Sequence, residues 1–250
     1  MLSIGIVSLT PGAGAKTLCA NLANELATAA SPTLAVDLTP ENMLRLHFGM
    51  PLEDRRGLIN QDPLEVFEYP SGVHYLPYGE SLPHGESLQG ASSQLDRGEP
   101  ATGSQLTQVL ERLPDDYTYC CINLGTQDLN HLDALQNSLD ILLCVLEPAP
   151  LTYAYLYRAL SRDLKNAPLS FSSVYFVFNK VAPNLTLNKD ILNLLKAELN
   201  PRILAPMMVH HDQHVPEALA TQQPVVDYAI ASRAAGDFEA LALWLKTVLK

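Results

Sequence analysis

The sequence predicts a doubly wound α/β domain, with a mainly parallel sheet of about seven strands flanked by helices. Two observations carry that reading. Short, nearly continuous apolar runs, such as Leu2–Ser8, Thr33–Asp37 and Ile141–Leu146, alternate with amphipathic helical patterns, as expected for parallel strands covered on both faces. The first run passes through a glycine turn, Pro11-Gly12-Ala13-Gly14, directly into a helical pattern, the context in which a phosphate-binding loop is credible.

The elements follow in order. Strand Leu2–Ser8 precedes a helix from about Lys16 to Ala29, and strand Thr33–Asp37 precedes a short helix from Pro40 to Phe48. Residues 50–70 read as irregular, Val73–Pro77 as a short strand, and the Gly-, Ser- and Pro-rich stretch 78–103 as a flexible loop. That loop carries a small echo, Gly79-Glu80-Ser81-Leu82 and Gly85-Glu86-Ser87-Leu88, too short for a structural repeat. Helix Ser104–Leu113, with Ser104 as N-cap, leads to strand Thr118–Leu124 and helix Asp128–Ser138. Strand Ile141–Leu146, helix Leu151–Leu164, strand Val174–Phe178 and helix Asn188–Leu199 follow. A last strand at Pro206–Val209 and helices near Gln213–Thr221 and Ser232–Leu249 complete the chain, with no linker dividing residues 1–250 into domains. The final helix places Phe238, Leu241 and Leu245 on one side; its polar face is poor in Lys and Arg, so core packing is expected rather than membrane anchoring.

Composition bounds the function. The 250 residues are 47% hydrophobic and 17% charged, enough for one large core, and carry a net charge of -11. Such a surface repels nucleic-acid and lipid phosphates, so neither nucleic-acid binding nor direct membrane insertion is expected. No signal peptide and no membrane-length apolar run is visible, so a cytoplasmic protein is expected. Cys19, Cys120, Cys121 and Cys144 fall in apolar elements without metal-ligand spacing and read as buried reduced thiols. His210, His211, Asp212 and His214 fit no common zinc spacing and read as a polar loop, so no metal site is expected.

The glycine loop departs from G-x-x-x-x-G-K-[ST], because Ala15 rather than glycine precedes Lys16. Thr10 through Thr17, followed by Asn21-Leu22-Ala23, instead resembles the deviant loop K-G-G-x-G-K-[ST] of the MinD/ParA ATPases. Aligned without a gap through Asn-Leu-Ala, the two family lysines fall on Thr10 and Ala15, and the magnesium-binding hydroxyl on Lys16. Slipped by one residue, Lys16 and Thr17 take the lysine and hydroxyl roles. The ungapped register is preferred because the helix matches without a slip. The resemblance implies a nucleotide site at Gly12, Ala13, Gly14, Ala15, Lys16, Thr17, Asp37 and Asn179, taking ATP or ADP. In this group the Asp37 position lies near the metal, a second Asp (here Thr39) positions water, a Walker B Asp (here Asn123) closes the third strand, and the Asn179 position reads the adenine edge. Losing one charge-assisted hydrogen bond of roughly 1.5–3 kcal/mol weakens binding about 10–150-fold. A weak or inactive ATPase is therefore expected, with magnesium disfavoured by the neutral residues. In the ungapped register the Lys16 ammonium is expected to stand in for the ion near Asp37.

One longer segment narrows the resemblance. Val36-Asp37-Leu38-Thr39-Pro40-Glu41-Asn42-Met43-Leu44-Arg45-Leu46-His47-Phe48, then Arg56-Gly57, is similar to the V-D-x-x-P-x-N-x-L-R-L-x-F…R-x-G segment of the BcsQ (YhjQ) family of cellulose-biosynthesis proteins. Leu76-Pro77-Tyr78-Gly79, Pro206–Asp212 and Gln223–Tyr228 resemble further family blocks. The resemblance implies a cytoplasmic accessory of cellulose secretion at the inner membrane, dimerising around nucleotide with the Pro11–Gly14 loop near the two-fold axis. It also implies a small partner, BcsR, and recruitment to the membrane through protein partners. The alternatives are an active ATP-driven dimerisation switch and a ParA-like positioning protein. The 78–103 loop and Arg55-Arg56 are candidate partner contacts.

Overall fold

A computed structural model describes residues 1–61, 63–80, 103–162 and 173–249. Seven strands form one sheet: β1 (Leu2–Ser8), β2 (Thr33–Asp37), β3 (Phe67–Glu68), β4 (His74–Leu76), β5 (Tyr119–Leu124), β6 (Ile141–Leu146) and β7 (Val174–Phe178), in the order β3-β4-β2-β5-β1-β6-β7. All neighbours are parallel except β3–β4. The helices are α1 (Ala15–Leu26), α2 (Gly103–Arg112), α3 (Leu132–Ser138), α4 (Pro150–Arg162), α5 (Thr186–Glu198), α6 (His214–Ala220), α7 (Val225–Tyr228) and α8 (Arg233–Val248).

The strand alternation sorts side chains between two layers. Ile4, Ile6, Ala35, Cys121, Leu143 and Val177 pack against Leu18 and Leu22 of α1 and Phe238, Leu241 and Leu245 of α8. Val7, Leu34, Val36, Ile122 and Leu142 face the other way, onto Leu106 and Val109 of α2 and Leu135 of α3. A third cluster joins Leu146 and Phe178 to Leu156 of α4 and Leu195 of α5. The last helix is thus a core helix, capped by Ser232, whose hydroxyl accepts from the Ala235 amide. No described helix is long and apolar enough to cross a membrane. All four cysteines are buried and free.

The strand count matches the sequence reading, but one member differs. Pro206–Val209 is not a strand. Isolated pairings flank it, Phe176 with Leu204 and Val181 with His210, and Val209 N donates to Phe178 O at 2.9 Å. Pro206 has no amide to continue the ladder between them. The seventh strand is instead β3, too short to leave a periodic signal, which turns back onto β4 through Gly72 in the left-handed region at φ 91°. Pro40–Phe48 shortens to a 3-10 turn at Leu44–Phe48, because Asn42 sits at φ 52° and interrupts any helix before it. Asp128–Ser138 divides into a 3-10 turn, Thr126–His131, and α3. Ser104 lies inside α2 rather than capping it. Helix α7 lacked a periodic signal of its own. Beyond Glu80, the expected loop at 78–103 lies outside the described residues.

Candidate functional site

A pocket of about 300 Å³ opens at the carboxyl ends of β1, β2 and β5, between the glycine loop and the segments that follow β2 and β5. This is where an open parallel sheet places ligands. Gly12 and Gly14 adopt φ of 82° and 101°, which side chains rarely tolerate. A Cβ at Gly14 would also meet Asn179 Nδ2 at 2.3 Å. Gly14 is the N-cap and α1 begins at the next residue. Ala15 therefore holds the first helical position and Lys16 the second.

The loop amides divide into spent and free. Ala13 N donates to Thr10 O at 3.2 Å, and Ala15 N to Ser8 Oγ at 3.1 Å. The amides of Gly14, Lys16 and Thr17 meet no acceptor among the described residues. Free first-turn amides and the positive end of the helix favour an oxyanion, so a nucleotide phosphate fits.

The opposite wall does not fit magnesium. Asp37 is wholly buried, and its Oδ1 accepts from Thr39 Oγ1 at 2.7 Å, Asn123 Nδ2 at 2.8 Å and Thr39 N at 3.1 Å. Its Oδ2 accepts from Leu44 N at 3.0 Å. Burial pushes this carboxyl above its ordinary pKa, and the hydrogen bonds from Thr39, Asn123 and Leu44 pull against that rise. Asn123 spends its amide nitrogen on Asp37, which leaves its buried Oδ1 without a partner. A hard divalent cation wants anionic oxygens, and the Asp37 carboxylate is committed to neutral donors while that of Glu41, which lines the pocket, pairs with a lysine. Lys16 does not reach Asp37 as expected. Its ammonium pairs with Glu41 Oε2 at 3.7 Å, because the amide and hydroxyl donors around Asp37 fill that space.

The loop is held from the other side by β7. Asn179 Nδ2 donates to Ala13 O at 2.8 Å. Lys180, in the left-handed region, donates to Gly12 O at 2.5 Å and reaches Glu147 at 3.3 Å. The Asn179 side chain thus supports the glycine turn and does not line the pocket. Lys180 carried no motif signal in the sequence. Thr10, in place of the first family lysine, is buried with its hydroxyl 3.2 Å from that of Thr152 on α4. The histidine segment has structural partners: His210 Nδ1 lies 2.8 Å from Asp237 Oδ2, and His214 Nδ1 lies 2.7 Å from Asp212 Oδ1. Among the described residues no cluster of three or more His, Cys, Asp or Glu is arranged to hold a metal.

The family model for cellulose biosynthesis protein BcsQ matches residues 1–245. The chain belongs to the BcsQ family. The cellulose biosynthesis protein BcsQ of Escherichia coli K12 is 26% identical over 252 residues, covering 98% of this chain and 94% of that protein. The Salmonella typhi protein of the same name is 24% identical, covering 98% and 94%. Among solved structures, the cell division ATPase MinD of Pyrococcus furiosus superposes with a TM-score of 0.69 at 19% identity, covering 99% of both chains. A ParA family ATPase from Chlorobium tepidum TLS gives 0.68 at 16% identity, covering 97% and 98%. The fold is that of the MinD/ParA group of P-loop ATPases.

The block that carries the BcsQ resemblance is a structural knot beside the pocket. Arg45 is buried and donates through Nε to Asn42 O at 3.1 Å, through Nη1 to Asp54 O, and through Nη2 to Glu80 Oε1 at 2.7 Å. Asn42 Oδ1 accepts from Gly79 N at 3.2 Å. Gly57 lies so close to Gly79 that a Cβ there would meet Gly79 N at 2.4 Å. Asn60 closes the knot through Gly57 N, Arg55 O and Glu80 O. Asn42, Arg45, Gly57 and Gly79, dispersed in the BcsQ motif, thus meet in one place. The knot anchors the segment that delivers the Leu44 amide to Asp37.

Proposed function

We propose that this chain is an accessory or scaffold of bacterial cellulose biosynthesis and secretion that binds ATP or ADP without magnesium and turns it over weakly or not at all. The observation that carries this reading is the saturated Asp37. Its two oxygens are held by Thr39, Asn123 and Leu44, so it is left neither as a metal ligand nor as a base for water. The free amides of Gly14, Lys16 and Thr17 favour retention of a phosphate chain. When bound, nucleotide would supply a polyanion that organises the loop face. Gly12, Gly14 and Thr17 would hold it, and Lys16 would leave Glu41 to neutralise it. Homodimerisation through this face, a BcsR-like or synthase partner, and a cytoplasmic location at the inner membrane follow from BcsQ membership as part of the same proposal.

Calorimetry with ATP and ADP, in magnesium and in EDTA, tests it alongside Lys16→Ala. Binding that survives EDTA, weakens about tenfold or more in the variant, and accompanies no phosphate release is the expected result. Strictly magnesium-dependent binding with steady turnover overturns it in favour of an ATP-driven switch.

A further inference from the structure

We propose that Glu41 is an internal competitor of the nucleotide: its carboxylate holds the Lys16 ammonium until a phosphate chain displaces it. The inference rests on the nucleotide reading above and adds how that site is restrained. Among the described residues, Lys16 is the one cation and Glu41 the one anion lining the pocket. The two meet, with Lys16 Nζ 3.7 Å from Glu41 Oε2, so the chain balances the charge of its own phosphate site.

The backbone sets Glu41 at this spot. Thr39-Pro40-Glu41-Asn42 is a tight turn, closed by Asn42 N donating to Thr39 O at 2.9 Å, and Pro40 fixes its second position. Both shoulders are pinned. Thr39 N and Leu44 N donate to Asp37 at 3.1 and 3.0 Å, and Asn42 Oδ1 accepts from Gly79 N at 3.2 Å. Thr39 and Asn42 are buried, whereas the Glu41 side chain is 61% exposed. The turn therefore holds the carboxylate at the pocket and leaves the side chain free to swing away without backbone movement.

The start of α1 explains why the carboxylate settles there. This helix has no acidic residue in its first turn, its Gly14, Lys16 and Thr17 amides are free, and Lys16 adds a full charge to its positive end. Glu41 supplies, from outside the helix, the anion that these groups favour. A phosphate chain needs the same groups, and two anions at one place repel each other. An ion pair this exposed is weak, so the contact restrains binding without preventing it. Apparent affinity is reduced by the fraction of molecules in which Lys16 is free.

Calorimetry with ATP in EDTA, on the wild type, Glu41→Gln, Lys16→Ala and the double variant, tests the assignment. Glu41→Gln is expected to bind ATP about fivefold more tightly than the wild type, the scale that releasing an exposed pair allows. In the Lys16→Ala background the same change is expected to gain about twofold or less, because no ammonium is left to release. Urea midpoints close to that of the wild type report that the variants remain folded. Unchanged or weaker binding by Glu41→Gln, or an equal gain in both backgrounds, overturns the competitor role and leaves the nucleotide reading standing. Failure of both the wild type and Glu41→Gln to bind ATP overturns the nucleotide reading, and this inference with it.

Discussion

His47 shows how one side chain here couples stability to acidity. It is buried in the 3-10 turn, its Nε2 faces the Thr17 hydroxyl at 3.5 Å, and burial pushes its imidazole down to about 4. A base whose folded pKa is depressed leaves the unfolded chain holding more protons. Stability is then fully present above the unfolded value of 6.5 and is lost as the pH falls toward 4. Integrating that difference, the wild type loses ~2 kcal/mol through this residue between pH 7 and pH 5. Asp37 works in the opposite direction, since its raised pKa favours the folded state at low pH, but it is common to any His47 variant and cancels in the comparison. His47→Gln keeps a polar tip near Thr17 and does not titrate, so urea unfolding at the two pH values should show a flatter dependence by about that amount. An unchanged slope would mean that His47 takes up its proton in the folded state.

At the scale of elements, the most tightly specified piece is the knot between the 3-10 turn and β4. Arg45 serves three carbonyls and one carboxylate from a buried position, and removing it takes a donor from each, leaving Glu80 only the exposed Arg55. Arg45→Met is expected to cost ~3 kcal/mol, and Arg45→Lys less, because a lysine keeps the charge on Glu80 but cannot fork to the carbonyls. Equal losses in urea unfolding would mean that the ion pair with Glu80 contributes nothing and the fork to the carbonyls carries the knot. The sequence displays these residues as a motif but not as a contact, because Asn42, Arg45, Gly57 and Gly79 meet only in three dimensions. Elements with a strong local period were readable: β2, β6 and β7 fall where their apolar runs predict, and α8 packs the face its spacing marks. Elements defined by tertiary partners were not. Nothing in Phe67–Glu68 marks a strand until β4 lies beside it, and Pro206–Val209 reads as a strand although its neighbour accepts only isolated pairings. The same division runs through the site. Glycine spacing located the loop, whereas Lys180 acts through folded geometry that no local pattern encodes.

For the whole molecule, the sheet order brings β1, β2 and β5 side by side, so a loop, a carboxylate and an amide from distant parts of the chain converge on one pocket. Asn123 decides what that convergence can hold, because its Nδ2 is a neutral donor 2.8 Å from Asp37 Oδ1. Asn123→Asp replaces the donor with a second carboxylate and sets two like charges against each other in a buried site. Folding at pH 7 is expected to weaken by ~2–4 kcal/mol, with one carboxyl of the pair raised in pKa. A raised folded pKa contributes stability at low pH that is lost as the pH rises through it, so the variant should recover relative to the wild type on acidification. The same change supplies the anionic oxygen pair that a divalent cation requires. Magnesium should therefore raise the melting temperature of Asn123→Asp and leave that of the wild type unmoved, since a ligand stabilises only the state that binds it. A wild-type melting temperature that climbs with magnesium would show that Asp37 exchanges its neutral donors for the ion. The pocket would then belong to a metal-dependent nucleotide switch.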